Sequence, residues 1–331
     1  MNKQNFQFFI GIDISKRSFD VAIIDDDRTT SYVFENTKKG INAFIRLLKN
    51  QKIPLPDTLI CMEHTGVYGK IIITKLVEKQ ANFCVEMPIQ ITKSIGLHRG
   101  KSDRVDAKRI ALYALKNYRQ LELYKPIPEI LERVKILLKI RKKLVNTRAD
   151  INKYPNELEL FSPALGKLAS KNLKKINKNL CDEINRIESE IKKLILSDDK
   201  LNKTVGLVTS VTGIGQITAL HFTIFTSFFT KYDNPKQLAC YCGVVPFEYA
   251  SGSSIHRKSR IHPMANRTLK KHLHMSALAA INHDPDIKAY FERKVEEGKN
   301  KMLIVNNVRN KLVHRICAVI KRQQPYVKNV A

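Results

Sequence analysis

The sequence predicts an α/β domain followed by a remainder of a different, helical kind, and three observations carry that division. Residues 7–35 read as three short apolar, β-branched runs parted by polar turns, and from there to about residue 118 helical and strand patterns alternate. From Pro126 to Leu201 long cationic side chains, Leu and Ile take over with almost no glycine. Near Thr204 glycine and proline return, in a segment that stays mainly helical. The expected domains are 1–125, 126–201 and 202–331, which suits a 331-residue chain at roughly 100 to 200 residues per domain.

Taken in order, "FFIGIDIS" and "FDVAII" are strand-like, "DDDRTT" is a polar turn and "SYVFE" alternates as a third strand. "GINAFIRLLKN" has helical spacing, "DTLICME" reads as a buried strand, "GVYGKIIITKLVEKQ" as a helix, "NFCVEMP" as a strand and "SDRVDAKRIALYALKNY" as a helix with a Ser or Asp cap. Three hairpin-style strands before alternating helices and strands predict a mixed sheet covered by helices rather than a purely parallel one. In the middle segment "LERVKILLKIRKKLVNTRADI" and "LCDEINRIESEIKKLIL" carry apolar residues three and four apart, which predicts two antiparallel helices or a short coiled coil turning in the region of Pro155 and "SPALG". "KLVHRICAVIKRQQ" reads as the last amphipathic helix.

A formal charge of +27 and a pI near 9.8 point to a polyanionic partner, with nucleic acid first and an anionic membrane surface second. No run of about 20 apolar residues exists to span a bilayer, and "MNKQNFQFFIGID" enters a strand pattern instead of a signal peptide's apolar core. A soluble, cytoplasmic protein is expected. Of the six cysteines only Cys240 and Cys242 lie close together, with no second pair to complete a zinc site, so all six read as reduced core thiols.

Four acids stand out in this basic chain. Asp13 sits inside the first strand, Glu63 ends the fourth where the chain must leave the sheet, and Asp103 and Asp106, three apart, share one face of the last helix. Were the first and fourth strands neighbours, Asp13 and Glu63 would meet at one end. Converging carboxylates repel unless a cation intervenes, and hard oxygen ligands suit Mg²⁺ or Mn²⁺. Each acid also has a plainer reading: Asp103 as a helix cap, Asp106 as the partner of Arg109 or Arg99. Asp20 and Asp25 to Asp27 read as strand-end and turn solvation.

"GIDISK", "MEHTGVYG" and "GKSDRVDAKRIA" together resemble the three signature blocks of the DEDD insertion-sequence transposases, a family that includes pilin-gene invertases and bridge-RNA-guided recombinases. The resemblance implies a RuvC-like domain of ribonuclease-H-like fold over roughly the first 120 residues, with Asp13, Glu63, Asp103 and Asp106 as the metal-binding catalytic tetrad. It continues more loosely over residues 204–290, where "SVTGIGQITALHF" carries the Gly213–Ile214–Gly215 turn of a helix-hairpin-helix that would grip phosphate. The alternative is an ordinary turn between helices. "CGVVPFEYASGSS" matches the family's proline, four residues, Ser-Gly pattern and implies Ser251 as nucleophile, with Ser253 and Ser254 as alternatives. The family's next element has two glycines and a lysine that "KSRIHPMANRTLK" lacks; Arg257, Lys258, Arg260, Arg267 and Lys270 could replace the charge. Lys101 and Arg104 flank the acids as further expected nucleic-acid contacts. The resemblance further implies DNA ends and a DNA target as substrates, a guide RNA, and a homo-oligomer whose active site joins the serine of one subunit to the metal site of another. The competing readings are a metal-dependent junction or flap nuclease without a covalent intermediate, a non-catalytic nucleic-acid-binding protein, and an actin-like sugar kinase; the missing glycine-rich phosphate loops in two related halves argue against the last.

Overall fold

The computed structural model describes residues 5–26, 28–95, 103–232, 234–251 and 255–327. The chain forms two compact units, 1–126 and 127–331.

The first unit is built on five strands: β1 (Phe8–Ile14), β2 (Ser18–Asp25), β3 (Arg28–Glu35), β4 (Thr58–Glu63) and β5 (Asn82–Glu86). Their order across the sheet is β3-β2-β1-β4-β5. The first three pair antiparallel and β4 and β5 run parallel to β1, so the mixed sheet expected from the sequence is present. Hairpin turns set the antiparallel half: Ser15 N–H donates to the Ser18 carbonyl at 2.9 Å, closing β1 onto β2 across a short turn. The parallel half needs crossovers, supplied by α1 (Lys38–Asn50) and α2 (Lys70–Glu78). Alternation decides which face each residue covers. Ile10, Ile12, Ile14, Phe19, Val21, Ile60 and Met62 pack with Phe44 and Leu48 of α1 and Ile72 and Leu76 of α2. Phe9, Ala22, Ile24, Leu59, Cys61 and Cys84 form the other face, against Ile91 of α3 (Pro88–Ile95) and Ala107, Ile110, Ala111 and Ala114 of α4 (Asp103–Asn117). Gly11 lets α4 approach the sheet at backbone distance: a Cβ there would lie 2.1 Å from the Ala107 carbonyl oxygen and 2.2 Å from the Ala111 nitrogen.

The second unit opens with two long antiparallel helices, α5 (Glu129–Glu159) and α6 (Pro163–Leu196). Both exceed the spans expected from sequence, and the turn falls at residues 160–162. Pro155 is not at the turn; it lies inside α5, buried against the partner helix, whose packing outweighs the lost backbone hydrogen bond. Leu131, Val134, Leu137 and Leu138 of α5 and Ile187, Ile191, Leu194 and Ile195 of α6 join the unit's core at the root of this hairpin. Leu160 and Phe161 at its tip stand 85% and 86% exposed. The core continues through α7 (Asp199–Thr209), α8 (Gln216–Thr226), α9 (Pro235–Tyr241), α10 (Arg267–His283), α11 (Pro285–Glu296) and α12 (Lys301–Arg322). Between α9 and α10 runs a two-stranded antiparallel ribbon, β6 (Phe247–Ser251) and β7 (Ile255–Arg260). All six cysteines are free thiols. No helix among the described residues is long and apolar enough to cross a membrane.

Candidate active site

Strand register assembles the acids of the first unit. Asp13 on β1 stands directly opposite Asp20 on β2. Ile12 pairs with Met62 of β4, so the next rung sets Asp13 beside Glu63, and Glu63 is itself in register with Glu86 of β5. Period-two alternation places all four on the face that α4 covers, because Gly11, Ala22, Cys61 and Cys84, two residues before or after them, lie against that helix or in its cluster. The result is a row of carboxyl groups across one end of the sheet, Asp20–Asp13–Glu63–Glu86.

From above, α4 adds Asp106. Burial, and then the nearby Asp106 carboxylate, raise the Glu63 pKa above the ordinary carboxylate range. Glu86 is likewise raised, by burial and then by Glu122. Tyr113 of α4 lies over the same end of the sheet, its phenol pushed up by burial and by Glu86, Cys61 and Cys84. Asp106 also pairs with Arg109, whose Nη1 donates to its Oδ1 at 2.7 Å, so the plainer reading of that acid is present as well. Asp103 opens α4 one turn before Asp106; its side chain, like Lys101, lies outside the described residues. Arg104 is exposed on the same helix. Among the described residues no three His, Cys, Asp or Glu side chains close together tightly enough to grip a metal ion.

Asp20 corrects the reading from sequence. It is only 8% exposed, facing Asp13 rather than solvating a strand end. The signal was present in "SFDVAII", where Asp20 shares its face with Ala22 and Ile24, both buried. Glu86 was passed over for the same reason, as the last residue of a strand whose pairing partner was not known.

In the second unit, Ser251 is the last residue of β6, opposite Ile255, so the nucleophile expected in a loop sits on a strand end. Its side chain, those of Arg257 and Lys258, and residues Ser253 and Ser254 lie outside the described residues. Arg260, at the end of β7, and Arg267, at the start of α10, are both exposed. Gly213, at φ +89°, is required by packing: a Cβ would lie 2.5 Å from the Ser276 carbonyl oxygen and 2.8 Å from the Ala280 Cβ. Gly215 is open and begins α8 with no side-chain cap.

A transposase family model of the DEDD, IS110 type matches residues 10–162, and a second, the transposase IS116/IS110/IS902 family, matches residues 205–292. Pilin gene-inverting proteins of Moraxella lacunata and Moraxella bovis are each 26% identical over 97% of this chain and 98% of their own length. The transposase of insertion sequence element IS1111A from Coxiella burnetii is 25% identical over 68% of each chain. Among solved structures, T. thermophilus RuvC in complex with a Holliday junction substrate aligns at 12% identity over 36% of this chain and 99% of its own, with a TM-score of 0.28.

Proposed function

Because this chain belongs to the IS110 family of insertion-sequence transposases, enzymes that act on DNA, we propose that it exchanges DNA strands at insertion-sequence ends and target, as a homo-oligomer directed by a noncoding guide RNA. The observation that carries this reading is the interaction of Glu63 with Asp106 beside Asp13, at the end of the sheet where β1 and β4 lie side by side. A carboxyl group whose ionisation is disfavoured by burial and by a neighbouring carboxylate, as that of Glu63 is, suits a divalent cation, and an all-oxygen donor set suits Mg²⁺ or Mn²⁺. Asp13, Glu63, Asp103 and Asp106 are the ligands proposed. Such a cation, when bound, stabilises the negative charge that develops on a phosphodiester during strand cleavage.

Ser251 is the proposed nucleophile. As its Oγ–phosphorus bond forms, the hydroxyl proton departs; as the bond from phosphorus to the 3′-oxygen breaks, that oxygen gains a proton, leaving a 5′-phosphoserine and a free 3′-hydroxyl. Because the bond energy is conserved in the adduct, a 3′-hydroxyl can later reverse the step on a new strand. A strand-end position supports Ser251 in this role, since a ribbon holds a side chain more firmly than a loop does. Lys101, Arg104, Arg257, Lys258, Arg260 and Arg267, with the amides around Gly213 and Gly215, are proposed to hold DNA or RNA phosphates. The α5–α6 hairpin is proposed as an oligomerising spacer between the two catalytic parts, with exposed Leu160 and Phe161 at its contact point.

The test is a strand-exchange assay with Mg²⁺ and trapped substrate run on denaturing gels. Asp103→Asn abolishes exchange in a folded protein, and Ser251→Ala keeps DNA binding but loses both exchange and the protein–DNA adduct, while Ser253→Ala and Ser254→Ala retain activity. Undiminished exchange by Asp103→Asn removes the tetrad. Wild-type cutting without any adduct, matched by Ser251→Ala, makes the enzyme a water-using nuclease.

A further inference from the structure

Arg309 of α12 is a buried charge without a counter-charge among the described residues. Its side chain is only 6% exposed. Its hydrogen-bond partners are neutral: Nη2 meets His274 Nδ1 at 2.6 Å, Nη1 donates to Asn306 Oδ1 at 3.4 Å, and Nε has no partner. No carboxylate among the described residues pairs with it. The contrast on the same helix is direct, since Arg315 donates to the buried Asp284 carboxylate at 2.6 Å. A guanidinium cannot shed its charge as a lysine or histidine can, so burying one opposite neutral groups is costly unless an anion arrives from outside.

The surroundings are donors as well. Lys270 and His274, one turn apart on α10, are half-buried beside Arg309, and burial together with its charge lowers the pKa of both. Because the guanidinium can only donate, His274 Nδ1 accepts, and the imidazole hydrogen stands on Nε2 as one more donor. Lys270 supplies an ammonium, its stem 3.6 Å from where a Cβ on Gly243 would be. The place is fixed by Asn306, whose Nδ2 donates to the Val244 carbonyl at 2.8 Å just before the chain enters β6. The unpaired Arg309 Nε–H and the cationic groups around it, at the root of the ribbon, fit a group that only accepts and is negatively charged.

We propose that Arg309, Lys270 and His274 form a seat for a nucleic-acid phosphate at the root of the β6–β7 ribbon. It rests on the reading of the chain as a nucleic-acid enzyme, and adds a phosphate contact on α10 and α12 outside both the acidic row and the ribbon's own cations. A phosphodiester held here fixes the strand relative to the ribbon that ends in Ser251, so Arg309 acts in positioning.

The experiment uses the full chain and measures binding of duplex DNA, and separately of structured RNA, across a series of NaCl concentrations. Each phosphate contact contributes about 0.9 to the slope of log K against log salt on duplex DNA and about 0.7 on single strands. Arg309→Met lowers that slope by about one contact and weakens binding about tenfold at fixed salt, while its melting temperature in phosphate-free chloride buffer equals or exceeds that of wild type, because an uncompensated charge has gone. Inorganic phosphate raises the wild-type melting temperature above that in chloride of equal ionic strength, and raises that of Arg309→Met less. A slope lost on DNA alone assigns the seat to DNA, and on RNA alone to RNA. An unchanged slope on both, in folded Arg309→Met, overturns the seat. If Arg309→Met does not fold, wild type decides: no stabilisation by inorganic phosphate, or none removed by Lys270→Gln, overturns it as well. Wild type that binds neither nucleic acid overturns the enzyme reading itself, which separates the two failures.

Discussion

Replacing Gly11 by alanine tests how α4 is seated on the sheet. The added Cβ would lie 2.1 Å from the Ala107 carbonyl oxygen, 2.2 Å from the Ala111 nitrogen and 2.9 Å from the Ala111 Cα. Heavy atoms in good contact sit roughly 3.5 to 4 Å apart, so the helix must lift by about 1.4 Å if the strand holds its place. The obstructing atoms are backbone, and no rotamer change relieves them. Overpacking of this kind typically costs about 1 to 3 kcal/mol, and here the upper end applies because a whole helix must move. Since α4 carries Asp103 and Asp106, a shift of about 1 Å is also on the scale that reduces catalysis roughly 100-fold. Urea denaturation should therefore show a loss of about 3 kcal/mol, and strand exchange should fall at least about 100-fold with DNA binding retained. Gly206→Ala is the control: it lies within α7 with nothing within 4 Å of an added Cβ, and should stabilise by about 1 kcal/mol through helix propensity alone. Wild-type stability and exchange in Gly11→Ala would refute both the close approach and the placing of Asp106 that depends on it.

Three further outcomes follow from the site and its supports. In metal-free buffer, Asp106→Asn should bring the Glu63 pKa part of the way down, leaving the share due to burial, as read by NMR titration of the Glu63 carboxyl. Because a raised carboxyl pKa favours the folded state only at low pH, wild type loses stability as pH climbs out of the ordinary glutamate range through the Glu63 value, and the variant loses less; an unmoved Glu63 titration contradicts the contact. His221, its ring tilted against that of His272 with centroids 4.3 Å apart and with Lys142 and Arg141 nearby, has its pKa lowered to about 4, chiefly by burial. The unfolded chain then takes up a proton that the folded one refuses between pH 6.5 and about 4, so stability falls with pH over that window by on the order of 2 to 3 kcal/mol; His221→Gln should flatten this in urea titrations at pH 7 and 4.5, and an equally steep loss would place its cause elsewhere. Asn266 caps α10, its Oδ1 accepting from Thr268 N at 3.0 Å and Leu269 N at 3.1 Å, so Asn266→Ala should cost about 1 to 2 kcal/mol in thermal unfolding and Asn266→Asp should recover most of it; an aspartate no better than alanine rules the cap out.

What could be read from the sequence depended on whether the deciding contact was local. The five strands and α4 follow from patterns of period two and of three to four, and those patterns also carried Asp13, Glu63 and Asp106 to one end of the sheet. Asp20 and Glu86 were lost because an acid at the edge of a strand reads as solvation until the strand opposite is known. The short helix α3 follows β5 after one residue and begins at Pro88, so it merged with the strand pattern before it. The β6–β7 ribbon was hidden by its cations and by the sequence "SGSS", which together read as a solvated loop. Arg309 illustrates the limit best. The helical pattern was taken from residue 311 onward, while the burial of Arg309 depends on His274, 35 residues away on another helix.

The α5–α6 hairpin has a property that its composition does not announce. At 1.5 Å per residue its helices of 31 and 34 residues extend about 46 and 51 Å, yet their packing against the unit's core ends at Leu144 on one side and begins at Ile187 on the other. Farther out the helices hold each other, through contacts such as Asn177 Nδ2 to Asn152 Oδ1 at 2.6 Å and the close approach of Gly166 to Glu159. Reach is thereby uncoupled from foldedness. Excising seven residues from each helix, in matched register, would shorten the arm by about 10 Å while leaving the core residues at its root untouched. Such an arm can be retuned in length by insertion and deletion as a boom is re-rigged, and the distance at which it presents Leu160 and Phe161 can drift among relatives without the fold having to be reinvented.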